Sequence, residues 1–466
     1  MLIYKKKNFS RYLYLLFVGA LAAILIVFTL RAESGNYVTK MSDGEILQMH
    51  KNYVTGAVYD RTGKCIVKGD KSSKTGLKWR NKEEKKNFKD LLGMDIESTL
   101  LSGFTLAGHA SVLFGTDDDR FTVDNLLQPF KERIGGSVKL TLDTATQQYI
   151  TELIRSYGYN EKDVYVVCSN YKTGEVKALH GPVFSTMLNP GSTLKTILLA
   201  AAMSVSPELV KNFTYDCNEE SHIFNVNGKK VKVRCAGGVT HGVIDASAAI
   251  KYSCNGYFIS LLQKMDKKTL LEELKKMGLN NTIHFNQFTF WDGRMVSKEN
   301  AKTNLKDEAY LLGSIGQADA FITPFNLNFL YSSLLNHGSL VEPYWISSTK
   351  STPDSKWEDT THNGKKQICD AEAADQVVNM MKLVTEEGTG TAFYMDNFVA
   401  KTGTAERVDN TGKLDGTYTV WTSGGLTDEK NPLSITVCID KVDSSTTSAV
   451  PGKISRDILE YMTSAD

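Results

Sequence analysis

Apolar and polar positions along this chain fall into a small number of rhythms. "SVKLTL" (137–142) reads as a strand, and "DTATQQYITELIRSYG" (143–158) sets an Asp N-cap ahead of apolar residues at helical spacing. "DVYVVCSN-YKTG-EVKALH" (163–180) reads as strand, turn, strand. A helix opens at Gly191-Ser192, and the helical pattern returns at 244–265, 323–338 and 371–387. The rhythm then changes to strands at 397–405, 417–426 and 433–440, closed by a helix at 452–463. This order of helix, helical middle, strands and last helix predicts an α/β (α+β) fold, an antiparallel sheet flanked by helices with a helical subdomain.

The N-terminal third is less regular. Residues 53–69, "YVTGAVYDRTGKCIVKG", predict two short strands around an Arg-Thr-Gly turn, and the Lys-, Asn- and Ser-rich stretch 70–90 predicts an exposed loop or charged surface. No firm element follows from 91–114. Ahead of all this, Lys5, Lys6, Lys7 and Arg11 precede an uncharged run from Tyr12 to Leu30. A membrane-spanning helix needs roughly 17–25 such residues, and no small-x-small cleavage site follows, so the run predicts an uncleaved anchor. The flanking cations put residues 1–11 in the cytoplasm and the rest of the chain outside the membrane. The expected layout is tail 1–11, anchor 12–30, a small membrane-proximal region 31–136 and a main domain 137–466.

Composition changes this picture little. The 466 residues are 41% hydrophobic and 23% charged, with net charge +1, which is ordinary for globular protein and gives no sign of a nucleic-acid partner. The seven cysteines make no dense disulfide framework, and without a CxxC or HExxH string no metal site is expected. Cys217 and Cys235 flank a polar segment and are candidates to close a loop in an extracytoplasmic domain.

Three short strings carry the chemistry. Lys-Thr-Gly occurs three times, at Lys74, Lys172 and Lys401. The Lys172 copy sits at a hairpin tip and the Lys74 copy in a polar stretch, so both read as turn or loop. The Lys401 copy lies within a strand, where a glycine is poor unless something approaches the backbone closely, and a ligand is one such thing. Ser192-x-x-Lys195 opens an apolar helix, so the two side chains share a face. Desolvation by Leu194 and Ile197–Leu199 would lower the lysine pKa and let it take the serine proton, with free N–H groups of the helix start ready for an oxyanion. Ser253-x-Asn255 lies where Asn255-Gly256 should interrupt the 244–265 helix and aim both side chains into a cleft.

In this order and context, Ser192-x-x-Lys195, Ser253-x-Asn255 and Lys401-Thr402-Gly403 resemble the three signature motifs of penicillin-binding protein transpeptidases. "NPGSTLK", "SCNGYF", "ITPFNLNFLYSSLLNHG" and "AKTGTAE" agree, and the likeness runs over about 137–466, with the strands at 53–67 resembling the family's membrane-proximal ones. It is nearest to monofunctional, single-anchor (class B) enzymes. The chain has Gly316-Gln317-Ala318 where the family often has Gly-Gln-Gly, a change expected to affect only local backbone freedom. The short region before the catalytic domain leaves no room for a glycosyltransferase.

The resemblance implies a peptidoglycan D,D-transpeptidase in the bacterial cell membrane, acting on the D-Ala-D-Ala end of stem peptides and acylated by β-lactams. Ser192 would be the nucleophile, Lys195 its base, Ser253 a proton relay and Asn255 the group that orients Lys195 and the substrate amide. Lys401, Thr402 and Thr404 would meet the substrate carboxylate, Gly403 would let substrate lie along the strand, and the N–H groups of Ser192 and Thr404 would form the oxyanion hole. No metal or organic cofactor is implied; the implied partner is a membrane glycan polymerase. A D,D-carboxypeptidase would share every named residue, and a non-enzymatic β-lactam sensor or structural subunit is the remaining reading. A class A β-lactamase is disfavoured, because Lys276 stands where its deacylating Glu belongs in "EELKKMGLN".

Overall fold

The computed structural model describes residues 53–92 and 133–464, apart from 55, 71, 73–76, 286–288, 291–292, 297–306 and 409–413. The expected tail and anchor (1–30) and the Lys74 copy of Lys-Thr-Gly lie outside the described residues. Among the described residues no helix is long and apolar enough to cross a membrane.

The C-terminal strands build a five-stranded antiparallel sheet. Its order is Phe398–Val408, Leu414–Leu426, Leu433–Val442, Val164–Asn170, Val176–His180. The strand Val164–Asn170 begins as a continuous apolar run because both faces are covered. Alternate residues Val164 and Val166 face Ile150 and Ile154 of helix Thr144–Ser156 and Ile454, Ile458 and Leu459 of the closing helix Ala449–Ser464. The residues between them, Tyr165 and Val167, join the larger core on the other face. There the helix Pro324–Leu335, buried along its whole length, lies across the sheet, with helices Leu194–Val205 and Ala371–Glu386 beyond it. The first helix is capped as the sequence predicts, with Asp143 accepting from the Thr146 amide at 2.7 Å.

A second, six-stranded sheet runs Glu358–Asp359, Ile346–Lys350, Ser137–Leu140, Val58–Tyr59, Cys65–Gly69, Leu77–Trp79. It takes strands from both sides of residue 136, and Val58 pairs in parallel with Val138. The charged stretch 70–90, expected as loop or surface, instead holds the strand Leu77–Trp79 and a helix Lys82–Leu92. Phe88 is fully buried there and Glu84 is on the same face, a stripe too narrow to stand out among the lysines.

The helical pattern at 244–265 breaks into Ala246–Tyr252 and Asn255–Lys264. The break falls at Ser253, whose φ of 59° is left-handed, rather than at Asn255-Gly256. The Cys254 thiol caps the second helix by accepting from the Tyr257 amide. Gly256 stays helical, and a Cβ there would lie 2.5–2.7 Å from the Tyr215 ring.

Candidate active site

Pro190 ends the incoming segment, and Gly191–Thr193 form a tight 3₁₀ turn that runs into the helix Leu194–Val205. Ser192 is half-buried on this turn, and Lys195, one turn on, is fully buried among Leu194, Ile197, Leu198 and Leu199. Burial pulls the Lys195 ammonium down to about 8, against an opposing pull from the Cys254 and Cys235 thiols. Its Nζ donates to the Ser253 carbonyl (2.7 Å) and to Asn255 Oδ1 (2.5 Å), and lies 3.4 Å from Ser253 Oγ. The left-handed kink at Ser253 is what turns both groups toward the lysine. Asn255 is itself held, its Nδ2 donating to the Arg234 carbonyl at 2.6 Å.

The opposite wall is the strand Phe398–Val408. Lys401 is fully buried and donates to the Thr402 carbonyl at 3.0 Å. Burial, and then the charge of Lys195, hold its ammonium well below the usual lysine range. Among the described residues, no carboxylate pairs with either lysine. The Thr402 hydroxyl shares a hydrogen with Thr389 (2.7 Å), while Thr404 is exposed and its carbonyl accepts from Gln317 Nε2 at 3.4 Å.

The close approach at Gly403 comes from the protein itself. A Cβ there would lie 2.8 Å from the Pro190 carbonyl oxygen, 2.9 Å from Thr193 Cγ2 and 3.1 Å from the Thr193 nitrogen. The serine turn is thus packed directly on the strand, where the sequence suggested room for a ligand. Gly191 completes the fit: its φ is 54°, and a Cβ would meet the Thr404 carbonyl oxygen at 2.7 Å. Sequence reasoning missed the groups that fasten the turn. Tyr331 donates to the Thr193 carbonyl (2.7 Å) and Thr196 Oγ1 (3.1 Å), and Trp421 Nε1 donates to the Asn189 carbonyl (2.9 Å). Asn189 Nδ2 in turn reaches the carbonyls of Ala318 (2.9 Å) and Ala320 (2.6 Å). Polar tips inside otherwise apolar elements were their only signal. Ala318 has φ 55°, so the departure from Gly-Gln-Gly puts a side chain where a glycine is favoured.

The other motif copies fall elsewhere. Lys172 is at the tip of the Val164–Asn170/Val176–His180 hairpin, with Gly174 at φ 79°. Ser347-x-x-Lys350, another Ser-x-x-Lys string, belongs to a strand of the second sheet. Of the metal-ligating residue types, Cys217, Cys235, His241 and Cys254 place their donor atoms within 4.8 Å of one another, directly behind the Ser253–Asn255 bend. Cys217 and Cys235 are free thiols 4.0 Å apart, whereas a disulfide needs about 2.05 Å.

A family model of the penicillin binding protein transpeptidase domain matches residues 164–460, a span that holds all three motifs. Stage V sporulation protein D of Bacillus subtilis (strain 168) is 27% identical over 372 residues, covering 73% of this chain and 53% of that protein. The peptidoglycan D,D-transpeptidase FtsI homolog of Mesostigma viride is 23% identical over 301 residues, covering 59% of this chain and 49% of that protein. The chain therefore spans about half the length of the curated relatives it matches. Among solved structures, penicillin-binding protein A from Mycobacterium tuberculosis, as a penicillin G acyl-enzyme complex, aligns with a TM-score of 0.72 at 18% identity, over 88% of this chain and all of that one. That likeness establishes the shared fold. A family match across most of the chain, on a fold that brings Lys195 against Ser253 and Asn255, leads to one assignment: the chain belongs to the penicillin-binding protein transpeptidase family.

Proposed function

We propose that this chain is a peptidoglycan D,D-transpeptidase working through a serine acyl-enzyme. The observation that carries the reading is the buried Lys195, its Nζ fixed by Ser253 and Asn255 one helical turn from Ser192. A desolvated lysine with a pKa near 8 is partly neutral at physiological pH and able to take a serine proton.

Ser192 Oγ attacks the carbonyl of the penultimate D-Ala as its proton passes to Lys195. The Ser192 and Thr404 N–H groups hold the oxyanion. The C–N bond breaks, the leaving D-Ala nitrogen takes a proton relayed by Ser253, and an ester to Ser192 remains. An amine of a neighbouring stem peptide then displaces Ser192 and forms the cross-link. Lys401, Thr402 and Thr404 receive the substrate carboxylate; that no carboxylate among the described residues pairs with Lys401 suits that role. Gly403 serves chiefly by admitting the serine turn against the strand. β-Lactams would acylate the same serine; the Mycobacterium tuberculosis protein forms an acyl-enzyme with penicillin G.

The same reading puts Tyr12–Leu30 in the membrane as a single anchor, residues 1–11 in the cytoplasm and the catalytic domain 137–466 outside, with 31–136 beside the membrane and a membrane glycan polymerase as partner. Labelling with a fluorescent penicillin tests the core of it: wild type is labelled and Ser192→Ala is not. Label that persists on the alanine variant would remove Ser192 from its role. Incubation with purified donor and acceptor stem peptides should yield a cross-linked dimer; release of D-Ala alone would make the enzyme a carboxypeptidase.

A further inference from the structure

The four donors behind the Ser253 bend arrive from four segments. Cys217 ends the strand Tyr215–Cys217, and His241 precedes the strand Gly242–Ile244 paired with it, so the two meet across that ladder. Cys235 follows the hairpin His222–Val226/Lys229–Val233, and Cys254 is the N-cap of the helix Asn255–Lys264. Cys217 Sγ lies 3.3 Å from His241 Nδ1 and 4.0 Å from Cys235 Sγ, which lies 3.7 Å from Cys254 Sγ. A tetrahedral ion with Zn–S of about 2.3 Å and Zn–N of about 2.0–2.1 Å separates its donors by roughly 3.5–3.8 Å.

We propose that Cys217, Cys235, His241 and Cys254 form a closed, four-ligand structural site for a thiophilic divalent cation of the zinc type. Three sulfurs and an imidazole are soft donors that suit zinc and not calcium or magnesium. All three cysteines are buried, at 0%, 4% and 0% exposure, so the sulfurs face each other and not solvent. The surroundings are those of a ligand set with outer support. The Asn255 amide donates to Cys235 Sγ (3.4 Å) and the Tyr257 amide to Cys254 Sγ (3.5 Å). His222 Nε2 lies 3.6 and 3.7 Å from the Cys217 and Cys235 sulfurs, its Nδ1 held by the Tyr215 hydroxyl at 2.8 Å. The His241 ring stacks on Tyr252.

Four protein ligands leave no open position, so the ion is structural and not an electrophile. Its place gives it a task. Cys254 stands between Ser253 and Asn255, the two residues that hold Lys195, and Cys235 follows Arg234, whose carbonyl holds Asn255. The ion ties the left-handed bend at Ser253 to the 215–244 segment and so fixes the acceptors of the Lys195 ammonium.

The full-length chain, purified in detergent under reducing conditions, should carry about one zinc per chain by elemental analysis. After exchange with cobalt(II) it should show a thiolate-to-metal charge-transfer absorption, lost in Cys217→Ser and His241→Ala and retained in Cys65→Ser. Chelation of the wild type should lower its melting temperature by roughly 5–10 °C and restore it on zinc return. Fully reduced wild-type protein that takes up neither zinc nor cobalt overturns the proposal without any variant having to fold. So does a native disulfide between any two of the three cysteines, or a cobalt spectrum unchanged in Cys217→Ser.

Discussion

Replacing Gly403 with alanine separates two accounts of the Lys-Thr-Gly strand. The new Cβ would sit 2.8 Å from the Pro190 oxygen and 2.9 Å from Thr193 Cγ2. Comfortable carbon contacts need about 3.5–4.0 Å, so the turn or the strand must yield by roughly 0.6 Å. Neither neighbour gives easily. Proline fixes its own φ, and the Thr193 hydroxyl is tied to the Pro190 carbonyl at 2.7 Å, which locks the rotamer that aims Cγ2 at the strand. Overpacking of this kind costs about 1–3 kcal/mol. A displacement of about 1 Å at a reacting centre costs on the order of 100-fold in rate, so moving Ser192 by roughly half that should slow acylation about 10- to 100-fold. The assay is the second-order rate of fluorescent-penicillin acylation, read beside the melting temperature. A glycine kept only for an incoming ligand would give a different result: an unchanged melting temperature with the whole loss in ligand binding. That outcome, or acylation within twofold of wild type, refutes the packing argument.

Three further substitutions probe the same neighbourhood. Ala318→Gly should raise stability by roughly 0.5–1 kcal/mol, because the left-handed φ costs alanine about 1–2 kcal/mol and glycine returns part of that as chain entropy; thermal or urea unfolding reads it. Acylation should rise with pH through about 8, since Lys195 must lose its proton: at pH 7 roughly a tenth is neutral, against about 0.03% for an ordinary lysine. Asn255→Asp puts a carboxylate beside the Lys195 ammonium, which already feels the Cys235, Cys254 and Lys401 groups, favours the charged form and should move that midpoint upward. Lys401→Met removes a buried ammonium whose one hydrogen bond among the described residues is to the Thr402 carbonyl, and should raise unfolding stability by roughly 1–3 kcal/mol while acylation by penicillin falls sharply.

The sheet was legible because burial on both faces leaves few charged positions: Val164–Cys168 is an unbroken apolar run, and Leu433–Ile439 is interrupted only by Ser434 and Thr436. The three motifs were legible because each sits at a change of rhythm: a helix start, a helix break, a glycine inside a strand. What escaped was settled partly by local capping and partly by segments distant in sequence. The break could be foreseen, but its residue was decided by Cys254 capping the next helix, which left Ser253 in the left-handed conformation. The reason for Gly403 lies some two hundred residues upstream in Pro190 and Thr193. The four metal donors are spaced C-x17-C-x5-H-x12-C, and that spacing matches no short signature because strand pairing and a helix cap bring them together. The helix Lys82–Leu92 escaped for a simpler reason, since its buried Phe88 stands among seven charged residues.

The two buried lysines explain why so much of the structure is devoted to this one place. Each would cost several kcal/mol to bury as an ammonium without a counter-ion, and here each raises the cost of the other. Carboxylate partners would have offset part of that cost, but they would also have raised the Lys195 pKa and reduced its basic form. The protein uses neutral acceptors instead: the Ser253 and Thr402 carbonyls and the Asn255 amide oxygen. Neutral acceptors hold a lysine in position in either protonation state. On the proposed function, they leave the positive charge for an anionic ligand, so that a substrate carboxylate would be attracted to the wall opposite Ser192. The rigid features around the site follow from this: the serine turn pinned by Tyr331, the strand packed too close for a relaxed Cβ at 403, and the thiol cluster behind the bend. Only a stiff surround keeps two like charges buried at fixed positions instead of letting them relax toward water.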